Sequence, residues 1–138
     1  MSNDPTDVQS AALKELGLSD PDIEAFMQGR ILAYSLPTQS EPGIAIIQKM
    51  ATRLRSGIYI INDPGGGLKT FGRFRRRSHS VAKLFGLYEL ELFGAAVTNE
   101  KLEATLLRQG FISRDIVCPD ELGDDGNVVV LSRVYRIR

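Results

Sequence analysis

Gly57-Ile58-Tyr59-Ile60-Ile61 is a short, unbroken apolar run rich in β-branched and aromatic residues. A half-solvated strand alternates apolar with polar side chains, so a continuous run of this length reads as an interior strand buried on both faces. Further on, Tyr88 to Val97 reads as a second strand. The two are expected to be neighbours in one sheet over 57–62 and 88–96. Ile58, Ile60, Leu90, Leu92, Phe93, Leu102, Leu106 and Phe111 are the expected core.

Outward from this pair, helix and strand signals alternate. Before it, residues 5–29 read as two helices. Val8, Ala11, Ala12 and Leu16 approach helical spacing up to Gly17, and Ser19-Asp20-Pro21 is a start signal for a second helix through Ile23, Phe26 and Met27. Arg30 to Leu36 is expected as a strand. Ser40-Glu41-Pro42 would open a third helix with an apolar stripe of Ile46, Ile47, Met50, Ala51 and Leu54, ended by Gly57. Between the two central strands, 62–67 reads as a turn and Leu68 to Arg76 as another strand, placing Lys69, Phe71, Arg73, Arg75 and Arg77 on one face. A short helix then runs from Ser80 to Gly86. After the second central strand, Thr98 or Asn99 caps a helix ending at Gly110, and 111–117 and 128–137 close the chain as antiparallel strands.

This order predicts an α/β (α+β) fold: a single mixed central β-sheet with helices on both faces, preceded by an N-terminal helical pair. A chain of 138 residues fits one domain, with 1–29 as its helical segment and 30–138 as its sheet core. No apolar run approaches the roughly 18–20 residues of a membrane span. The polar start Met1 to Asp7 has no signal-peptide pattern, so a cytoplasmic protein without membrane association is expected. The single cysteine, Cys118, has no disulfide partner in the chain and no local base to activate it. One His and one Cys argue against zinc.

Net charge is zero but unevenly spread. Residues 1–29 carry six acids against Lys14, whereas residues 53–83 carry eight basic residues against Asp63 alone. The basic middle reads either as a site for an anionic partner or as a docking face for the acidic N-terminal helices. Arg77-Ser78-His79-Ser80-Val81-Ala82 falls where the expected strand passes into the expected helix. A helix start offers free N–H groups and partial positive charge to phosphate, and it equally reads as a plain helix start capped by Ser78 or Ser80. Gly65-Gly66-Gly67 is read as a hairpin turn, and Glu89 with Glu91 as either a substrate-amine site or a solvated strand face.

Taken with Asn99, which stands eleven residues before Gly110 and twelve before Phe111, this turn resembles the GNAT-type N-acetyltransferase superfamily. The resemblance covers about residues 68–138. Members carry a Gln/Arg-x-x-Gly-x-Gly/Ala turn around the pyrophosphate of coenzyme A, then a helix, a strand, an Asn-led helix ending in Gly-Phe, and two strands. Arg77 to Ala82 fits the turn with Ser80 in the place of its first glycine. The resemblance implies acetyl-CoA as cofactor, held by Arg77, Ser78, His79, Ser80, Val81, Ala82 and Asn99, and acyl transfer from acyl-CoA to an unidentified amine. The tyrosine that members often place seven residues after the Asn is Leu106 here, so no proton donor carries over. Two other functions fit the residues: a nucleic-acid-binding module using the basic strand 69–77, with Phe71 stacking on a base, and a protein-interaction domain, effector-like or antitoxin-like, using the N-terminal helices.

Overall fold

The computed structural model describes residues 4–36, 43–60, 68–95, 100–117 and 127–137. Its elements are α1 (Asp7–Leu16), α2 (Asp20–Met27), β1 (Leu32–Leu36), β2 (Gly43–Lys49), β3 (Arg53–Ile60), α3 (Leu68–Leu84), β4 (Glu89–Ala95), α4 (Glu100–Arg108), β5 (Ile112–Val117) and β6 (Asn127–Arg136). The N-terminal pair forms because each helix has a complete start. Thr6 with Gln9 and Ser19 with Asp22 are reciprocal capping boxes, in which both side chains satisfy backbone N–H groups that the first turn leaves unpaired.

The six strands form one sheet in the order β1-β2-β3-β4-β6-β5. Only β3 and β4 run parallel; every other pairing is antiparallel. The mixed sheet after a helical pair is therefore as the sequence predicts, and so is the interior β3–β4 pair. Ile58, Leu90, Leu92, Phe93, Leu106 and Phe111 are all buried. The side chains of Ile60 and Leu102 lie outside the described residues.

Two expectations are corrected. The third helix is instead the hairpin β2–β3, turning at Met50 to Thr52 and closed by the Met50 N–H donating to the Arg53 carbonyl at 2.9 Å. Ile46 and Ile47 imitate a helical stripe because both are buried, but they point to opposite faces of an interior strand. The basic strand at 68–76 and the short helix after it are one 17-residue helix, α3. Its buried stripe is Phe71, Phe74, Ser78, Val81 and Ala82, a spacing of three and four that only a helix brings to one side. The face proposed for nucleic acid does not exist, because Lys69, Phe71, Arg73, Arg75 and Arg77 are distributed around the helix and Phe71 is in the core.

Alternation divides the sheet into two faces. Leu32, Tyr34, Ala45, Ile47, Leu54, Ile58, Leu90 and Leu92 join Leu13, Leu16, Ile23, Phe26, Phe74, Val81 and Leu106 in a single cluster. Among the described residues each of α1 to α4 contributes apolar side chains to this cluster. On the far face Ile46, Phe93 and Val130 form a smaller cluster with Ile31 and Tyr59. Among the described residues no helix is long and apolar enough to cross a membrane.

Candidate functional site at the β3–α3–β4 unit

Parallel neighbours need a crossover, and α3 supplies it by packing along β3 and β4 on its way back to the start of β4. Two contacts fix this unit. The hydroxyls of Ser56 on β3 and Ser78 on α3 share a hydrogen bond of 2.8 Å, and both residues are fully buried. On the far face the Phe93 ring lies over Gly57, the position directly opposite it in the ladder.

The β3–β4 ladder runs from Arg53↔Glu89 to Ile58↔Gly94 and ends there. Among the described residues β3 continues beyond that point to Ile60 beside β2, and β4 to Ala95 beside β6, so the described pairing of the two parallel strands stops short of their C-terminal ends. The described ends Leu36, Gly43, Ile60, Ala95, Val117 and Asn127 all fall at this same edge of the sheet, as does the first turn of α3. In open sheets with parallel strands, ligands bind outside the carboxyl ends of the strands, where neighbouring connections leave a crevice.

The residues expected to grip phosphate are elsewhere. Arg77 to Ala82 lie in the latter half of α3, where each backbone N–H is committed to the helix, so no anion-binding turn exists there. Arg77 donates to the Glu15 carbonyl of α1 at 3.2 Å, Ser78 bonds Ser56, and Ser80 donates to the Arg76 carbonyl at 3.2 Å. Val81 and Ala82 are core residues, and only His79 faces outward without such a bond. Asn99 lies outside the described residues. The glycine run Gly65-Gly66-Gly67, read from the sequence as a hairpin turn, directly precedes Leu68, the first residue of α3. The signal was present as strand, glycines, then Phe71 and Phe74 at helical spacing.

Glu89 and Glu91 also change meaning. Glu91 is 1% exposed and pairs with three guanidinium groups: Arg55 at 3.1 Å, Arg53 at 3.5 Å, and Arg114, which reaches across β6 from β5. Arg53 also holds Glu89 at 3.2 Å. A carboxylate engaged by three guanidinium groups is a structural tie rather than a receptor for a cationic amine. Leu106, in the place of a tyrosine, is 1% exposed in the core and faces no cleft.

In fold, the chain resembles solved N-acetyltransferases. It is similar to the PaiA N-acetyltransferase from Thermoplasma acidophilum in complex with coenzyme A, at 15% identity over 91% of this chain and 92% of that one, with a TM-score of 0.42. Similar too are the IAA acetyltransferase from Bacillus cereus (16% identity, 99% and 95% covered, TM-score 0.42) and the ribosomal-protein-S18-alanine N-acetyltransferase from Escherichia coli (16%, 96% and 90%, 0.41). The element order from α3 onward, with α4 ending at Gly110-Phe111 before two strands, is the order that the GNAT resemblance implies. No family model and no curated protein matches the chain. At such identities no residue role passes from these proteins to this one.

Proposed function

We propose that this chain is an N-acyltransferase that takes an acyl group from acyl-coenzyme A and delivers it to an amine at the C-terminal ends of β3 and β4. The observation that carries this reading is the end of the β3–β4 ladder at Ile58↔Gly94, beside the first turn of a long helix that follows a three-glycine run. Parallel strands whose described pairing stops short of their ends offer extended backbone to an extended, amide-bearing arm. The first turn of α3 presents backbone N–H groups and the positive end of the helix dipole to a pyrophosphate. Lys69, exposed in that turn, adds a full positive charge.

The donor would supply an activated thioester: the neutral amine would attack its carbonyl carbon, the C–S bond would break, and the proton lost by the amine would end, through solvent, on the departing thiolate. The chain's part is to hold donor and acceptor in reacting geometry and to aim backbone donors at the carbonyl oxygen. Neither Leu106 nor Glu91 supplies a proton donor or base, since one is core and the other is paired. The test is thermal unfolding with and without acetyl-CoA. Ligand at 100 times its dissociation constant stabilises by about 2.7 kcal/mol, and dephosphorylated pantetheine alone should stabilise less. No shift with acetyl-CoA, or with longer acyl thioesters, would sink the proposal.

A further inference from the structure

We propose that the cavity between α3 and the opposite end of the sheet binds a small phosphate-bearing anion. It has a volume of about 270 Å³ and is lined by Arg75, Arg76, His79, Leu90 and Tyr135. Leu90 and Tyr135 are cross-strand partners near the start of β4, four residues from Gly94, or roughly 13 Å at the strand rise. The cavity is therefore separate from those C-terminal strand ends, and the inference stands whether or not the chain is an acyltransferase.

Charge is the first argument. Arg75 stands 5.7 Å from the centre of the Tyr135 ring and Arg133 stands 4.6 Å from it, so two guanidinium groups share one aromatic ring. Arg76 and His79 add to the same wall. Among the described residues no carboxylate forms an ion pair with Arg75, Arg76 or Arg133, and Glu89 and Glu91 of β4 face the other side and are paired there. Cations collected without a counter-charge repel one another until an anion joins them. The second argument is an orphan donor. The Tyr135 hydroxyl is buried and makes no hydrogen bond among the described residues, which is uncommon for a buried polar group. Shape is the third. A cavity of this size suits a phosphate and one small attached group, with planar guanidinium forks matching its oxygens and Leu90 with the tyrosine ring forming an apolar wall.

His79 is the only histidine in the chain, so its imidazole resonances in NMR report on this cavity without assignment. Inorganic phosphate and ribose 5-phosphate, titrated separately at constant ionic strength against chloride, should each move them saturably. Tighter binding of ribose 5-phosphate assigns a phosphate monoester, and tighter binding of inorganic phosphate assigns the free ion. Arg75→Gln with Arg76→Gln, both exposed, should leave circular dichroism unchanged and weaken binding by roughly tenfold or more, as expected for losing charge-assisted hydrogen bonds. Tyr135→Phe should weaken it less. A shift that does not saturate, or persists unchanged in the double variant, overturns the proposal. So does a response to a single-stranded oligonucleotide alone, which would make this a polyanion surface.

Discussion

A Cβ atom built on Gly57 would lie 2.1 Å from two ring carbons of Phe93, so the ring occupies the space that any side chain at position 57 would need. Phe93 is 1% exposed and has no room to swing aside. Gly57→Ala should therefore destabilise the fold by about 1–3 kcal/mol through overpacking. Phe93→Leu should recover part of that loss in the Gly57→Ala background while costing stability on its own. Urea unfolding of the four proteins measures the coupling, and simple additivity would show that the contact is not the cause.

The buried Ser56–Ser78 hydrogen bond makes a similar but polar prediction. Ser78→Ala leaves the Ser56 hydroxyl desolvated and without a partner, at a cost of about 1–3 kcal/mol. Removing both hydroxyls should cost less than the two single changes added together. A double variant as unstable as the sum would mean that each hydroxyl has another acceptor.

Tyr34 gives the pH dependence. Its hydroxyl is buried with no hydrogen bond among the described residues, and burial, with a smaller contribution from the Asp22 carboxylate, pushes its ionisation above the ordinary phenol range. The folded state therefore holds the proton more tightly than the unfolded chain does. That contribution is fully present below the unfolded value of about 10 and is lost as pH rises beyond it. Stability should fall with alkaline pH in the natural protein, and less steeply in Tyr34→Phe. Because that variant also deletes an unsatisfied polar atom, it should be neutral or stabilising at pH 7. An unchanged alkaline slope would assign the loss to other groups.

How much of this was legible in the sequence depended on whether local patterns had one reading. The start signal at Ser19-Asp20-Pro21 and the stops at Gly17 and Gly110, the latter with a positive φ of 90°, have strong local chemistry and are legible in the sequence. So is the part of β3 from Gly57 to Ile60, where the unbroken apolar run has few alternatives, whereas Arg53 to Ser56 read as the end of a helix. Ile46 and Ile47 were misread because adjacent buried residues fit a helix stripe as well as a strand buried on both faces. For α3, three arginines in a row and Gly72 hid the spacing of Phe71, Phe74 and Ser78, so the alternation of Lys69, Phe71 and Arg73 was taken for a strand. That one misreading puts the expected phosphate turn in the latter half of α3 rather than at a helix start. It also makes the glycine run before the helix start read as a hairpin turn between two strands.

The corrected placement yields opposite expectations for two charge insertions. Lys69→Glu puts a carboxylate into the first turn of α3 and should weaken acetyl-CoA binding while leaving the helix stable, since acids suit a helix start. Ser80→Asp, on an exposed position in the latter half of the helix, should leave binding unchanged. Isothermal titration with acetyl-CoA compares them directly. Loss of binding in Ser80→Asp but not in Lys69→Glu would return the cofactor site to residues 77–82.

The tie around Glu91 has a consequence for how this sequence can drift over generations. One buried carboxylate holds Arg53, Arg55 and Arg114, drawn from strands on both sides of it. Losing Glu91 alone would strand three cations at about the 3–5 kcal/mol cost of breaking a buried pair, whereas losing a single arginine leaves two to share the load. Neutral paths out of this arrangement therefore run through the arginines first, with the glutamate replaced last. Lineages descended from this chain should carry Glu91 with one, two or three of its partners, and should lack it only where apolar residues have replaced them.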